Sequence, residues 1–203
     1  MISLLGIDLT DREVLVVGGW AVAARRAQAW ADGGARLRVV APQVVGDLRA
    51  LVTHAGAWHA RPVREDDLDG AWLVLAATDD PHVNRAVATW ARERRTWCVV
   101  ADDAEVGTAR TPAITRSGDI AVGVVSDGRG DPRRVAAVRD ALAERLRTGV
   151  DQRRRRPSGG RVTLVGGGPG AFARLTGRGR PALAEADVVV ADRLGPVDVL
   201  AEL

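Results

Sequence analysis

A chain of 203 residues, 46% of them hydrophobic and 27% charged, can bury a sizeable core and is too apolar to be disordered. No uninterrupted apolar run approaches the roughly 20 residues that cross a bilayer. The opening MISLLGIDLTDREVLVV has no basic stretch ahead of its apolar residues, so no secretory signal is expected and the expected location is the cytoplasm. The formal charge is +3 and every Lys/Arg position is arginine. The arginines are interspersed with acids and lack an aromatic stacking motif, which argues against a nucleic-acid partner. The single cysteine, Cys98, excludes an internal disulfide and a thiolate zinc site, and it reads as a buried strand residue.

In chain order, Glu13 to Val17 is a short apolar run that ends in Gly18-Gly19, and Ala21 to Asp32 is alanine-rich with arginines to one side. That pattern predicts a strand, a tight turn and a helix, which Gly33-Gly34 then stops. Leu37 to Val40, closed by Ala41-Pro42, predicts the next strand and completes a βαβ unit. Trp72 to Ala77 and Trp97 to Ala101 are two more apolar runs, separated by a helical stretch from about His82 to Arg95. Strands and helices that keep alternating predict an α/β fold, a doubly wound parallel sheet of Rossmann-like form over residues 1–112. Beyond it, Ile120 to Val125 predicts a strand and Pro132 to Arg147 a helix, which together form a small αβ element over 113–150. Arg153 to Arg156 with Pro157-Ser158-Gly159-Gly160 reads as a linker over 151–160. Val162 to Val165, followed by Gly166-Gly167-Gly168-Pro169-Gly170, reads as the start of a second domain over 161–203, too short to be complete.

A glycine-rich turn between a strand and a helix lets backbone amides approach a pyrophosphate, and the helix dipole favours the negative charge there. Val17-Gly18-Gly19 supplies such a turn, but Trp20 stands where a further glycine is expected, and the carboxylate that usually ends the second strand is replaced by Ala41-Pro42-Gln43. Arg36 or Arg38 could instead meet a 2'-phosphate and favour NADP, although alternating polar residues on a strand more often face solvent. His54, His59 and His82 read as surface residues, and no His/Cys cluster marks an iron site.

The segments VLVVGGWAVAARRAQAWADGGARLRVVAP, AWLVLAATDDPHVNRAV and WCVVADDAEVGTARTPAI resemble the siroheme synthase family in its precorrin-2 dehydrogenase module, over residues 1 to about 148. The resemblance implies NAD-dependent oxidation of the tetrapyrrole precorrin-2 to sirohydrochlorin; some members also insert ferrous iron as a second substrate. It implies NAD contacts at Ala21, Val22, Pro42 and Gln43, beside the Gly18 and Gly19 of the turn and Thr78, which follows the apolar run that ends at Ala77. It places the catalytic carboxylate, offered as an iron ligand as well, at Asp102, at the carboxyl end of a predicted strand where ligands of open α/β sheets bind. Thr78 and Asp79 should face the same cleft, with Asn84 as a cap of the next helix. A homodimer built partly from 113–148 is also implied.

The tail RVTLVGGGPGAFARLTGRGRPALAEADVVVADRL resembles the first strand, glycine-rich turn and second strand of a uroporphyrinogen-III C-methyltransferase module. There Pro169 matches a contact to S-adenosylmethionine and Asp192 a proton acceptor; that cofactor is expected only if the module were complete. Two other readings compete: an NAD-binding module that regulates or has lost turnover, for which Trp20 is the best argument, and a truncated methyltransferase.

Overall fold

The computed structural model describes residues 2–128, 130–149, 162–166, 179–186 and 188–191. They form two units, one of residues 1–112 with 125–130 and the other of residues 113–124 with 131–203.

The first unit runs β1 (Glu13–Val17), α1 (Ala21–Ala31), β2 (Arg36–Val40), α2 (Gly46–Ala55), β3 (Gly56–His59), a 3-10 turn (Glu65–Leu68), β4 (Leu73–Ala76), α3 (Pro81–Glu93) and β5 (Trp97–Val100). The sheet order is β3-β2-β1-β4-β5, and every pairing is parallel. A parallel sheet needs cover on both faces, which is why its central strands are near-continuous apolar runs. Val14 to Val17 and Leu73 to Ala76 are all buried. Successive side chains of a strand point to opposite faces. Val14 and Val16 therefore join Leu37, Val39, Leu75, Leu48 of α2 and Ala23 and Ala27 of α1. Leu15 and Val17 join Val40, Val74, Val87 and Ala91 of α3, Cys98 and Leu68 on the other face. The small Ala23, Ala24 and Ala27 are the buried residues of α1, which lets the helix lie close on the sheet.

β1 sits between β2 and β4, and the helices that follow β1 and β4 cover opposite faces. A crevice therefore opens at the carboxyl ends of β1 and β4, the place where open α/β sheets bind ligands. The residues at that edge are Gly18-Gly19 after β1, Ala41-Pro42-Gln43 after β2, Thr78-Asp79 after β4 and Asp102 after β5.

In the second unit β6 (Ala113–Ser117) and β7 (Ile120–Val124) form an antiparallel hairpin. Gly118 turns it at a φ of 56°, a conformation that favours glycine. α4 (Pro132–Gly149) packs on both strands, and a short α5 (Gly179–Ala184) follows.

The strands expected within 162–165 and in the second apolar run of the tail are corrected by the structure: residues 162–166 and 188–191 belong to no strand. Val162, Leu164, Val188 and Val190 are largely exposed, with no strand partner among the described residues, and an apolar run without a ladder partner does not form a sheet. Pro169 and Asp192 lie outside the described residues.

Candidate functional site

The turn after β1 is set by close backbone contacts. A Cβ on Gly18, whose φ is +118°, would lie 2.2 Å from the Ala77 carbonyl oxygen, and one on Gly19 would lie 1.8 Å from the Gln43 carbonyl oxygen. The Gly18 amide donates to the Val40 carbonyl at 3.2 Å, and the Val45 amide donates to the Gly19 carbonyl at 2.8 Å. The two glycines thus lock the ends of β1, β2 and β4 together. Trp20 is the N-cap of α1 with φ −94° and ψ −178°, extended backbone that any residue adopts, so the indole stands there without strain. Its side chain makes no capping bond and the first turn of α1 has no acid. The N-terminal amides and the positive end of the helix dipole are therefore unneutralised by side chains, which fits a pyrophosphate.

A cavity of about 370 Å³ opens at this edge. Its walls include Gly18, Gly19, Trp20, Pro42, Gln43, Thr78 and Asp79, with Val83, Ala86 and Trp90 of α3 on one side. Of the expected cofactor positions, Gly18, Gly19, Pro42, Gln43 and Thr78 are brought together here. Ala21 and Val22 are exposed on the first turn of α1, outside the cavity wall. The arginines considered for a 2'-phosphate are engaged elsewhere. Arg38 pairs with Glu13 at 2.6 Å and donates to the Asp69 carbonyl at 2.7 Å, while Arg36 donates to the Asp11 carbonyl at 3.1 Å.

Asp102 is exposed and stands just beyond β5, outside the cavity wall. It is joined to that wall through Asn84, which is 1% exposed. Asn84 Nδ2 donates to Asp102 Oδ1 at 2.9 Å and to the Thr78 carbonyl at 3.1 Å. Asn84 Oδ1 accepts from the Thr78 amide at 3.0 Å and from the Thr78 hydroxyl at 2.8 Å. All four hydrogen-bonding positions of the carboxamide are used, and exchanging its O and N would oppose the Thr78 N–H with another donor.

This corrects the expectation that Asn84 caps α3. The N-cap is Asp80, whose carboxylate accepts from the His82 amide at 2.8 Å, with Pro81 in the first turn. A signal was present: Asp followed by Pro is a helix-start pair, and it places Asn84 a full turn inside, where asparagine is disfavoured unless its side chain has a task.

His54, His59 and His82 are exposed, as expected. Cys98 is buried, and desolvation pushes its thiol up to about 11. Among the described residues no three of His, Cys, Asp and Glu converge to hold a metal ion, so no protein cage surrounds Asp102. Among the described residues no helix is long and apolar enough to cross a membrane.

A five-stranded parallel sheet with a glycine turn, an open helix N-terminus and a cavity at its switch point defines a dinucleotide-binding α/β protein. The chain belongs to the putative NAD(P)-binding family, whose model matches residues 5–113. It is 34% identical to a siroheme synthase of Pseudomonas entomophila, over 92% of this chain and 52% of that protein. It is 31% identical to siroheme synthase 3 of Aeromonas hydrophila, over 95% of this chain and 53% of that protein. The chain thus spans about half the length of the curated relatives it matches. Among solved structures it is similar to SirC, a precorrin-2 dehydrogenase, with a TM-score of 0.62 and 26% identity over 70% of each chain.

Proposed function

We propose that this chain oxidises precorrin-2 to sirohydrochlorin with NAD. The observation that carries the reading is Asp102 at the carboxyl end of β5, tied by Asn84 to the Thr78 turn that walls the cavity. The similarity to siroheme synthases and to a precorrin-2 dehydrogenase supports the substrate.

The dinucleotide, when bound, supplies hydride acceptance. The remaining work falls to side chains and backbone of this chain. The α1 amides and the Gly18-Gly19 turn would hold the pyrophosphate, with Ala21 and Val22 on the same first turn, and Pro42, Gln43 and Thr78 would hold the rest of the dinucleotide along the cavity wall. NAD is favoured over NADP because Arg36 and Arg38 are committed to Asp11, Glu13 and Asp69. Oxidation of the tetrapyrrole releases one hydride and one proton, and the Asp102 carboxylate, with one oxygen held by Asn84, takes the proton on the other.

The Arg-rich segment 151–160 would join this enzyme to a second module in 161–203, with residues 113–150 as the dimer element. Ile114, Ile120, Val138 and Leu142 are exposed in the second unit and support a homodimer in which a partner copy covers them.

The test is anaerobic incubation with precorrin-2 and NAD, following sirohydrochlorin and NADH by absorbance. Equal amounts of both products support the reading; NADH binding with no turnover replaces it with a regulatory dinucleotide module. Ferrous iron added afterwards tests chelation, for which Asp102 would be the carboxylate offered to the metal.

A further inference from the structure

We infer that Asn84 is a positioning residue for the oxidation proposed above, an inference that rests on that reading: it fixes the Asp102 carboxylate and the Thr78 turn as one rigid unit. An exposed aspartate at a strand end ordinarily samples several rotamers. Here a buried carboxamide on α3 holds one carboxylate oxygen at 2.9 Å and grips the Thr78 backbone and hydroxyl with its other three bonds. The separation between the cavity wall and the proton acceptor is therefore set by a single side chain with no freedom left. Neither end needs Asn84 to touch substrate. Its amide has no unused donor or acceptor to offer a ligand.

Asn84→Asp tests this with little change of shape. One carboxylate oxygen still accepts from Thr78, but the other faces the Thr78 carbonyl and Asp102, where a donor is required. Asn84→Ala removes the same bonds without adding charge. With precorrin-2 as substrate, kcat should fall about 10- to 100-fold, the size of a lost hydrogen bond to a charged group, while NADH affinity by fluorescence titration, which shares the Thr78 turn, weakens by a clearly smaller factor. The decisive arm is the Asp102→Asn background. If Asn84 acts through Asp102, adding either Asn84 change costs less than about 3-fold further.

Full additional loss in that background, parallel loss of NADH affinity, or an unchanged kcat overturns the inference. So does a melting temperature below the assay temperature in both variants, which would make Asn84 purely structural. A wild-type protein that binds NADH yet oxidises no precorrin-2 fails the underlying reading instead, and this inference with it.

Discussion

Gly19→Ala should damage the turn that joins β1 to α1 by a purely steric route. The added Cβ would lie 1.8 Å from the Gln43 carbonyl oxygen and 3.0 Å from the Val44 Cα, both backbone atoms that cannot rotate away. Reaching an ordinary contact of 3.4 Å requires the chain after β2 to retreat by about 1.6 Å. That movement also pulls apart the bond from the Val45 amide to the Gly19 carbonyl, now 2.8 Å. Overpacking typically costs about 1–3 kcal/mol and a lost hydrogen bond about 1 more. The sum of about 2–4 kcal/mol corresponds to a melting temperature lower by roughly 5–15 °C for a chain of this size. Gly46→Ala is the matched control: nothing lies within 4 Å of its Cβ and it opens α2, so alanine should be neutral or stabilising by up to about 1 kcal/mol. Thermal melts followed by circular dichroism and NADH titrations read both variants. If Gly19→Ala melts with the wild type and binds NADH normally, the turn is not packed as described and the steric argument is wrong.

Asp102→Asn keeps the size of the side chain and removes its capacity to take a proton; sirohydrochlorin formation should fall about 10²- to 10⁴-fold with NADH affinity nearly unchanged, and near-normal turnover would remove Asp102 from the chemistry. Trp20→Gly should open the mouth of the cavity, which the half-exposed indole lines, and tighten dinucleotide binding; unchanged or weaker binding by titration would make the indole a useful contact. Arg61 holds the buried Asp67 through two bonds of 2.8 and 2.6 Å, and Asp67 is held below the usual carboxylate range chiefly by that contact. The paired Asp67 contributes stability above the ordinary aspartate range that is lost as pH falls through its lowered value, so Arg61→Ala should flatten the acid side of the stability curve in denaturant titrations. Burial pushes the Cys98 thiol up to about 11, so at pH 8 only about one in a thousand would be ionised and a disulfide reagent should react with it only in denaturant; rapid native labelling would contradict its place in the core.

The central strands were legible because a doubly covered parallel sheet writes itself as apolar runs: Val14 to Val17, Leu73 to Ala76 and Cys98 to Val100 are such runs, and Leu37 to Val40 is one broken only by Arg38. α2, β3 and β6 were not anticipated. Gly56–His59 is an edge strand whose one large apolar side chain, Trp58, is only partly buried, and α2 buries only Leu48 and Val52 behind an N-cap, Val45, that carries no capping signal. At the site, position along the chain pointed to Gly18, Gly19 and Thr78 and the family resemblance to Pro42 and Gln43; the five line one cavity because each follows a strand at the same edge. The tie from Asn84 to Asp102 was not legible, because it joins residues on different elements and depends on how far α3 is rotated over the sheet. The Arg36 and Arg38 partners were hidden for the same reason: Asp69 and Asp11 are brought to them only by the fold.

The position of β1 also bears on the order in which the molecule assembles. Val14 pairs with Leu37, 23 residues onward, and with Leu73, 59 residues onward. Closing the longer loop costs about 0.8 kcal/mol more in chain entropy, so the β1-α1-β2 unit is expected to form first and β4 to dock on it afterwards. The crevice does not exist until that second docking. A dinucleotide therefore has nothing to hold on the folding side of the barrier, and its stabilisation should appear as slower unfolding with the refolding rate unchanged.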